Sequence, residues 1–162
     1  MLAWGKYRNL ENSLYEFLDD KVTDDSVTDI NDVLIPIRVG RKRDNDWTLP
    51  CITVYVDNES AERSEIGSNN RLESYLIIID IYATNEGERM DLANWLKDTI
   101  NDGFRYFSII PSKSDPQNPI KVSGGLVEVN FLTNARVALG QNVDLEDSHR
   151  HRISINTWIS GT

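Results

Sequence analysis

The chain has 162 residues, of which 40% are hydrophobic and 27% charged, and its formal net charge is −9 at pH 7. The length suits a single domain over residues 1–162, and the composition is typical of a folded chain rather than a disordered one. The acidic balance excludes a broad grip on nucleic-acid backbones, which requires Lys and Arg to displace counterions. No run approaches the roughly 20 apolar residues of a membrane span, and no secretory signal pattern opens the chain. We therefore expect no membrane partner.

The first third of the chain predicts one helix and one edge strand. Apolar residues at helical spacing, Tyr7, Leu10, Leu14 and Phe17 among them, indicate an amphipathic helix over residues 6–20. An acidic, turn-rich stretch follows, and then a short strand over residues 34–40. Pro36 cannot donate a hydrogen bond to a neighbouring strand, so this strand is expected at an edge of the sheet.

The second strand is predicted over residues 50–57, because apolar side chains alternate there between two faces. Cys51 is the only cysteine and lies in this apolar strand, so we expect a buried, structural thiol. The polar residues 58–70 that follow are predicted to form an exposed, mobile hairpin loop.

The stretch RLESYLIIIDIYATNEGERMDLANWLKDTI, residues 71–100, combines a strand with a helix. Its strand ends near Ala83, and Thr84 or Asn85 is suited to cap the helix, with Glu88 in a capping-box position. Gly103 is well placed to end the helix in a left-handed conformation.

Three further strands are predicted over residues 104–110, 124–139 and 149–160. In the long middle strand the odd positions are expected to face the core and the even positions to face outward; the inward set is Val127, Val129, Phe131, Thr133, Ala135 and Val137. The order of elements predicts an α+β fold, in which an antiparallel sheet of about four main strands, mixed at its edges, carries two helices on one face.

Such a sheet should have a mostly polar second face in a monomer. Leu76, Ile78 and Tyr82 lie on the predicted second face of the third strand and break this rule. We therefore predict that this face meets another copy of the chain.

Candidate chemical sites are few. His149 and His151 have the spacing of two ligands on one strand, but no third ligand is fixed, so a solvated strand end is favoured over a metal site. The acidic stretch after the first helix lacks the Gly and the closing Glu of a calcium loop. The basic cluster Arg41 to Arg43 suits the acidic surface of a partner better than a nucleic acid. No nucleophile and base can be assembled, so we expect no enzyme, no metal and no cofactor.

The pattern of elements resembles the tail terminator, or tail completion, proteins of long-tailed bacteriophages. The resemblance rests on the helix YRNLENSLYEFLDD, a strand opened by Pro50, an acidic loop containing a glycine, the strand ending in DIYA, and the helix NEGERMDLANWL. It covers about residues 7–103 and extends more loosely over the last strands. Neck, head-completion and tube proteins share similar folds, so a neck or head-completion connector is the alternative.

The resemblance implies a ring of six subunits that caps the finished tail tube, stops its polymerisation and joins the tail to the head. Its partners would be further copies of the chain, the tube protein and a neck protein, with DNA only passing through the lumen. The protein would be found in the virion, and in the host cytoplasm during assembly. Besides Leu76, Ile78 and Tyr82, the candidate contact residues are Glu62, Arg63, Glu65, Arg41 and Arg43.

Overall fold

The structure is a computed structural model that describes residues 5–24, 37–40, 47–63, 71–110, 118–137 and 149–160. These segments contain two helices, each followed by three strands. In chain order they are α1 (Lys6–Asp24), β1 (Ile37–Val39), β2 (Cys51–Arg63), β3 (Arg71–Tyr82), α2 (Glu86–Ile100), β4 (Phe104–Ile110), β5 (Ile120–Arg136) and β6 (Arg150–Ser160).

All six strands join one curled sheet in the order β1-β2-β3-β6-β5-β4. Every neighbouring pair is antiparallel except β1 and β2, which are parallel. The α+β class, the mixed edge and the edge position of β1 are therefore confirmed. The expected number of about four strands is wrong, because the short segments β1 and β4 are hydrogen-bonded into the same sheet as the long strands.

The core lies between one face of the sheet and both helices. Tyr75, Ile77, Ile79 and Ile81 of β3 are almost fully buried in it. Apolar side chains of both helices belong to the same cluster; they include Leu10, Leu14 and Leu18 of α1 and Leu92, Leu96 and Ile100 of α2. Two helices on one face were predicted from the sequence, and this arrangement is confirmed.

Helix α1 also closes the β4 edge of the sheet. The backbone amide of Phe107 donates to Ser13 Oγ at 3.0 Å, and the amide of Ile109 donates to Asn9 Oδ1 at 3.2 Å. On the other side of the helix, the amide of Val56 in β2 donates to Glu11 Oε1 at 2.9 Å. Polar side chains of one helix thus satisfy amides of two strands that are far apart in the sheet, because the sheet curls around the helix.

The predicted ends of α2 are confirmed. Asn85 caps the helix by accepting a hydrogen bond from the Glu88 amide at 2.9 Å. In a capping box the Glu88 side chain would accept a hydrogen bond from the Asn85 amide. Here it accepts from the amide of Thr84, one residue earlier, at 2.6 Å. Gly103 follows the helix at φ +77°, and a side chain there would meet the carbonyl oxygen of Val127.

The predicted hairpin loop over residues 58–70 is wrong for its first part. Strand β2 continues to Arg63, and the pairing with β3 runs without interruption from Asn58↔Leu76 to Arg63↔Arg71. The register shifts at Asp57, where one extra residue forms a bulge, and the polar residues after it continue the strand. Residues 64–70 lie outside the described residues.

The predicted alternation of β5 holds only as far as Val129. The register with β6 shifts between Val129 and Phe131, and one extra residue at a bulge exchanges the two faces of a strand. Beyond the bulge, Leu132 packs against the core, whereas Thr133 and Ala135 are exposed. The expectation that the odd positions face inward is therefore wrong from this point on.

Candidate interaction surfaces

The second face of the sheet, opposite α1 and α2, contains the three residues predicted to meet another copy. Leu76 is half-buried, but Ile78 is only 7% and Tyr82 only 3% exposed within the single chain. The apolar area that this face offers to a partner is therefore smaller than the sequence indicated. Whether the face meets a second copy stays a prediction.

A charged cluster occupies the centre of this second face. Asp80 of β3 is fully buried, and it accepts hydrogen bonds from Arg152 Nε at 2.8 Å and from Arg150 Nη2 at 2.5 Å. The Arg150 guanidinium also lies 5.1 Å from the centre of the Tyr82 ring. Two guanidinium groups around one carboxylate leave the cluster with a net positive charge, and both remain partly exposed. An otherwise acidic chain thus presents positive charge at the middle of this face.

The remaining predicted contact residues belong to the β2–β3 hairpin or to a loop. The backbone of Glu62 pairs with Leu72, and that of Arg63 pairs with Arg71. Glu65, Arg41 and Arg43 lie outside the described residues. The structure therefore places Glu62 and Arg63 in the hairpin with Leu76, at the end of β3 remote from Tyr82.

His151 is not at a solvated strand end, as the sequence predicted, but is 8% exposed on the core side of β6. Its Nδ1 contacts Arg89 Nη1 of α2, and its Nε2 contacts Asn134 Oδ1 of β5. Both ring nitrogens are therefore engaged within the chain. The signal was present in the sequence, because His151 shares the odd positions of β6 with Ile153 and Ile155.

The surroundings of His151 favour the neutral ring. Burial, and then the charge of Arg89, lower the pKa of His151. Since Arg89 can only donate, Nδ1 is the acceptor and Nε2 carries the proton toward Asn134. Arg89 is itself held by Glu86, with Nη2 to Oε1 at 2.5 Å, and this hydrogen bond lowers the pKa of Glu86 to about 2. The cluster fastens α2 to β5 and β6.

Sequence reasoning missed an apolar stripe on the β4–β5 hairpin. Ile110, Ile120 and Val122 are 42%, 56% and 45% exposed. Ile110 lies directly opposite Ile120, and Val122 lies two residues along the same strand, so the three side chains share one face. The prediction began β5 at Gly124 and thereby excluded both Ile120 and Val122, although their alternation with Lys121 and Ser123 is the pattern of a strand.

A groove of about 440 Å³ runs between α1 and β4, and Lys121, which alternates with Ile120 and Val122 along β5, is among its lining residues. The rings of Phe17 and Phe104 are stacked at its base, with centroids 5.8 Å apart. An ion pair between Lys121 Nζ and Glu16 Oε1, at 2.6 Å, lies at its rim. The groove is thus lined by stacked aromatic rings and by an ion pair.

Within the segments that the structure describes, no three His, Cys, Asp or Glu side chains are grouped as a metal site would require. No helix among these residues is long and apolar enough to cross a membrane. Comparison with protein-family models gives no match, and no curated protein is significantly similar to the chain. The surfaces described above therefore provide the grounds for a functional proposal.

Proposed function

We propose that the protein is a structural component of a phage virion that forms a ring, of six copies by resemblance, at the head-proximal end of the tail tube. In this role it ends tube polymerisation and presents the surface to which the head is joined. The proposal starts from the resemblance of the sequence to tail terminator proteins. A neck connector of similar fold is the competing assignment.

The observation that carries the proposal is the asymmetry of the sheet. Both helices pack on one face, and no described helix covers the other, where Leu76 and the guanidinium groups of Arg150 and Arg152 are partly exposed. A closed ring joins a patch on one subunit to a different patch on the next. A positive cluster on one face of a chain whose net charge is −9 suits such an unlike pair of patches.

The acidic charge fits the passage of DNA through a ring. A lumen lined by carboxylates repels phosphates, so that DNA slides through without being held. A ring whose lumen is lined by Lys and Arg would contradict this part of the proposal.

The first test is the mass of the purified protein by light scattering, with negative-stain images of the same fraction. We expect a hexamer with a central hole. A monomer that also fails to form rings when tail tubes are added would overturn the proposal. The tube and portal proteins of the same phage separate the two assignments, because a terminator caps tubes and a neck connector binds the portal or its adaptor.

Leu76→Asp tests whether the second face is the interface. Leu76 is half-buried, and we expect this variant to fold and to lose the ring, because a carboxylate would be buried between subunits. Met90→Asp is the matched control: Met90 is 52% exposed on α2 and does not lie on the second face. Equal loss of the ring in both variants would show that the second face has no special role.

A further inference from the structure

Among the residues that the structure describes, the β4–β5 hairpin has one protected edge and one free edge. Its outer edge, formed by β4, is covered by α1, where Ser13 and Asn9 accept hydrogen bonds from the amides of Phe107 and Ile109. Its inner edge is formed by β5, which pairs with β6 only from Leu126 onward. Residues 120–125 therefore have a strand on one side only, within the part of the chain that the structure describes.

The directions of the β5 amides follow from the contacts of β4. The amides of Phe107 and Ile109 point to α1, and the residues opposite them are Ser123 and Lys121. In an antiparallel pair, residues that turn their amides away from each other alternate with residues that exchange two hydrogen bonds. Lys121 and Ser123 therefore direct their amides and carbonyls toward the free edge. Ile120 and Val122 direct theirs toward β4.

Residues 120–123 carry both the free edge and two of the three side chains of the apolar stripe. These two are Ile120 and Val122, and Ile110 lies beside them. The two strands of the hairpin also pack closely on each other, since the Tyr106 ring of β4 lies where a side chain at Gly124 of β5 would be. An incoming strand would meet four backbone groups at the spacing of a strand, and an aliphatic surface for every second side chain.

We propose that residues 120–123 of β5 are a strand-addition site that binds an extended segment of a partner protein with apolar side chains at alternate positions. Backbone hydrogen bonds to Lys121 and Ser123 supply affinity, and the stripe selects apolar residues on one side of the segment. Residues 104–127 contain three basic side chains and one acidic side chain, so this hairpin tolerates acidic flanks although the net charge of the chain is −9. The site does not depend on ring formation.

The test uses the full chain and a synthetic ten-residue peptide in which valine alternates with threonine, flanked by glutamates. Hydrogen exchange is followed by NMR at single amides. In the free protein, the amides of Lys121 and Ser123 should exchange at least tenfold faster than those of Ile120 and Val122. Saturating peptide should slow the Lys121 and Ser123 amides at least tenfold. A peptide of the same composition with its valines grouped at one end should bind at least fivefold more weakly.

Ser123→Pro removes one free-edge amide without removing a hydrogen bond to β4, and it should abolish peptide binding. Ser123→Ala keeps the amide and should bind as the natural chain does. Val122→Asp, at an exposed position, should fold and should weaken binding at least tenfold. It provides the test if the proline variant does not fold.

Three results would overturn the proposal. The first is protection of the Lys121 and Ser123 amides in the dilute, free protein, which would show that the edge is already occupied. The second is no binding at about 1 mM peptide, or binding that leaves these two amides unprotected. The third is protection that rises with protein concentration alone, which would make the occupant a second copy of this chain.

Discussion

The guanidinium of Arg152 holds the fully buried carboxylate of Asp80 through two hydrogen bonds, from Nε at 2.8 Å and from Nη2 at 2.9 Å. The two residues are direct neighbours across β3 and β6. Together with Arg150 they make the centre of the second face polar, although the sequence around Asp80 is among the most apolar in the chain. This pairing explains how a charged residue is accommodated inside the IIIDIY stretch.

Replacement of Asp80 should therefore be destabilising. Asp80→Ala leaves two partly exposed guanidinium groups without their shared acceptor, and the loss of hydrogen bonds to a charged group costs about 1.5–3 kcal/mol. Urea denaturation measures the change in the free energy of unfolding. Asp91→Ala, at an exposed position of α2, is the control and should change stability by less than about 0.5 kcal/mol. A similar, small effect of both substitutions would show that the cluster does not stabilise the fold.

The contact between α1 and the outer edge of β4 is expected to depend on Ser13. Ser13→Ala removes the acceptor of the partly buried Phe107 amide, and a donor left without a partner in such a place costs about 1–2 kcal/mol. Asn12→Ala is the matched control, because Asn12 is half-buried on the same helix and its side chain donates to the Arg8 carbonyl of that helix, not to a strand, among the described residues. We expect its effect to stay below about 1 kcal/mol. Chemical denaturation of the two variants gives the comparison, and equal losses would contradict the account of the edge.

Substitutions at two glycines test the backbone conformation of the turn after α2. Gly103→Ala would place a methyl group 2.2 Å from the Val127 carbonyl oxygen at φ +77°, so we expect a loss of more than about 2 kcal/mol. Gly87→Ala, inside α2, meets nothing closer than Asn85 Oδ1 at 3.4 Å and should change stability by less than about 1 kcal/mol. Thermal unfolding of both variants measures the difference. A melting temperature of Gly103→Ala within about 2 °C of that of the natural chain would contradict this prediction.

The sequence identified elements with strong periodicity and missed features that depend on tertiary contacts. The ends of α2 could be predicted because Asn85, Glu88 and Gly103 act within a few residues of the chain. Helix α1 was also predicted, but it continues to Asp24, beyond the predicted end at residue 20. The exchange of faces after Val129 could not, because a bulge is defined by the partner strand and leaves no periodic signal. β2 was ended too early because polar residues after Asp57 look like a loop, although β3 continues to pair with them.

The exposed apolar area of the second face was overestimated for the same reason. Periodicity placed Ile78 and Tyr82 on the second face correctly, but how far a side chain is covered depends on its neighbours in β6. Arg150 over the Tyr82 ring is a contact between residues 68 positions apart. The Ile110–Ile120 pair likewise becomes visible only when β4 and β5 are placed side by side.

The stability of the protein should fall as the pH drops below about 6.5, because the neutral form of His151 is favoured only in the folded chain. The pKa of His151 is lowered on folding, so the unfolded chain binds more protons as the pH falls below the ordinary histidine value of about 6.5. The stabilisation is complete above that value and is lost as the pH falls through the folded pKa. The charged groups that face the ring are Arg89 and Glu86 of α2, and Arg136 of β5 lies near Glu86.

The measurement is the free energy of unfolding between pH 5 and pH 8 for a His149→Gln background and for the same background with His151→Gln. The first chain retains His151 as its only histidine, so the difference between the two slopes isolates this ring. We expect the slope below pH 6.5 to be steeper in the chain that keeps His151. Glu86, whose pKa is lowered to about 2, stays ionised in the folded chain throughout this range. Its contribution near pH 5, where the unfolded carboxyl begins to bind protons, is common to both chains and cancels in the difference. Identical slopes would mean that protonation of His151 leaves its contact with Arg89 intact, against the geometry of a donor facing a protonated Nδ1.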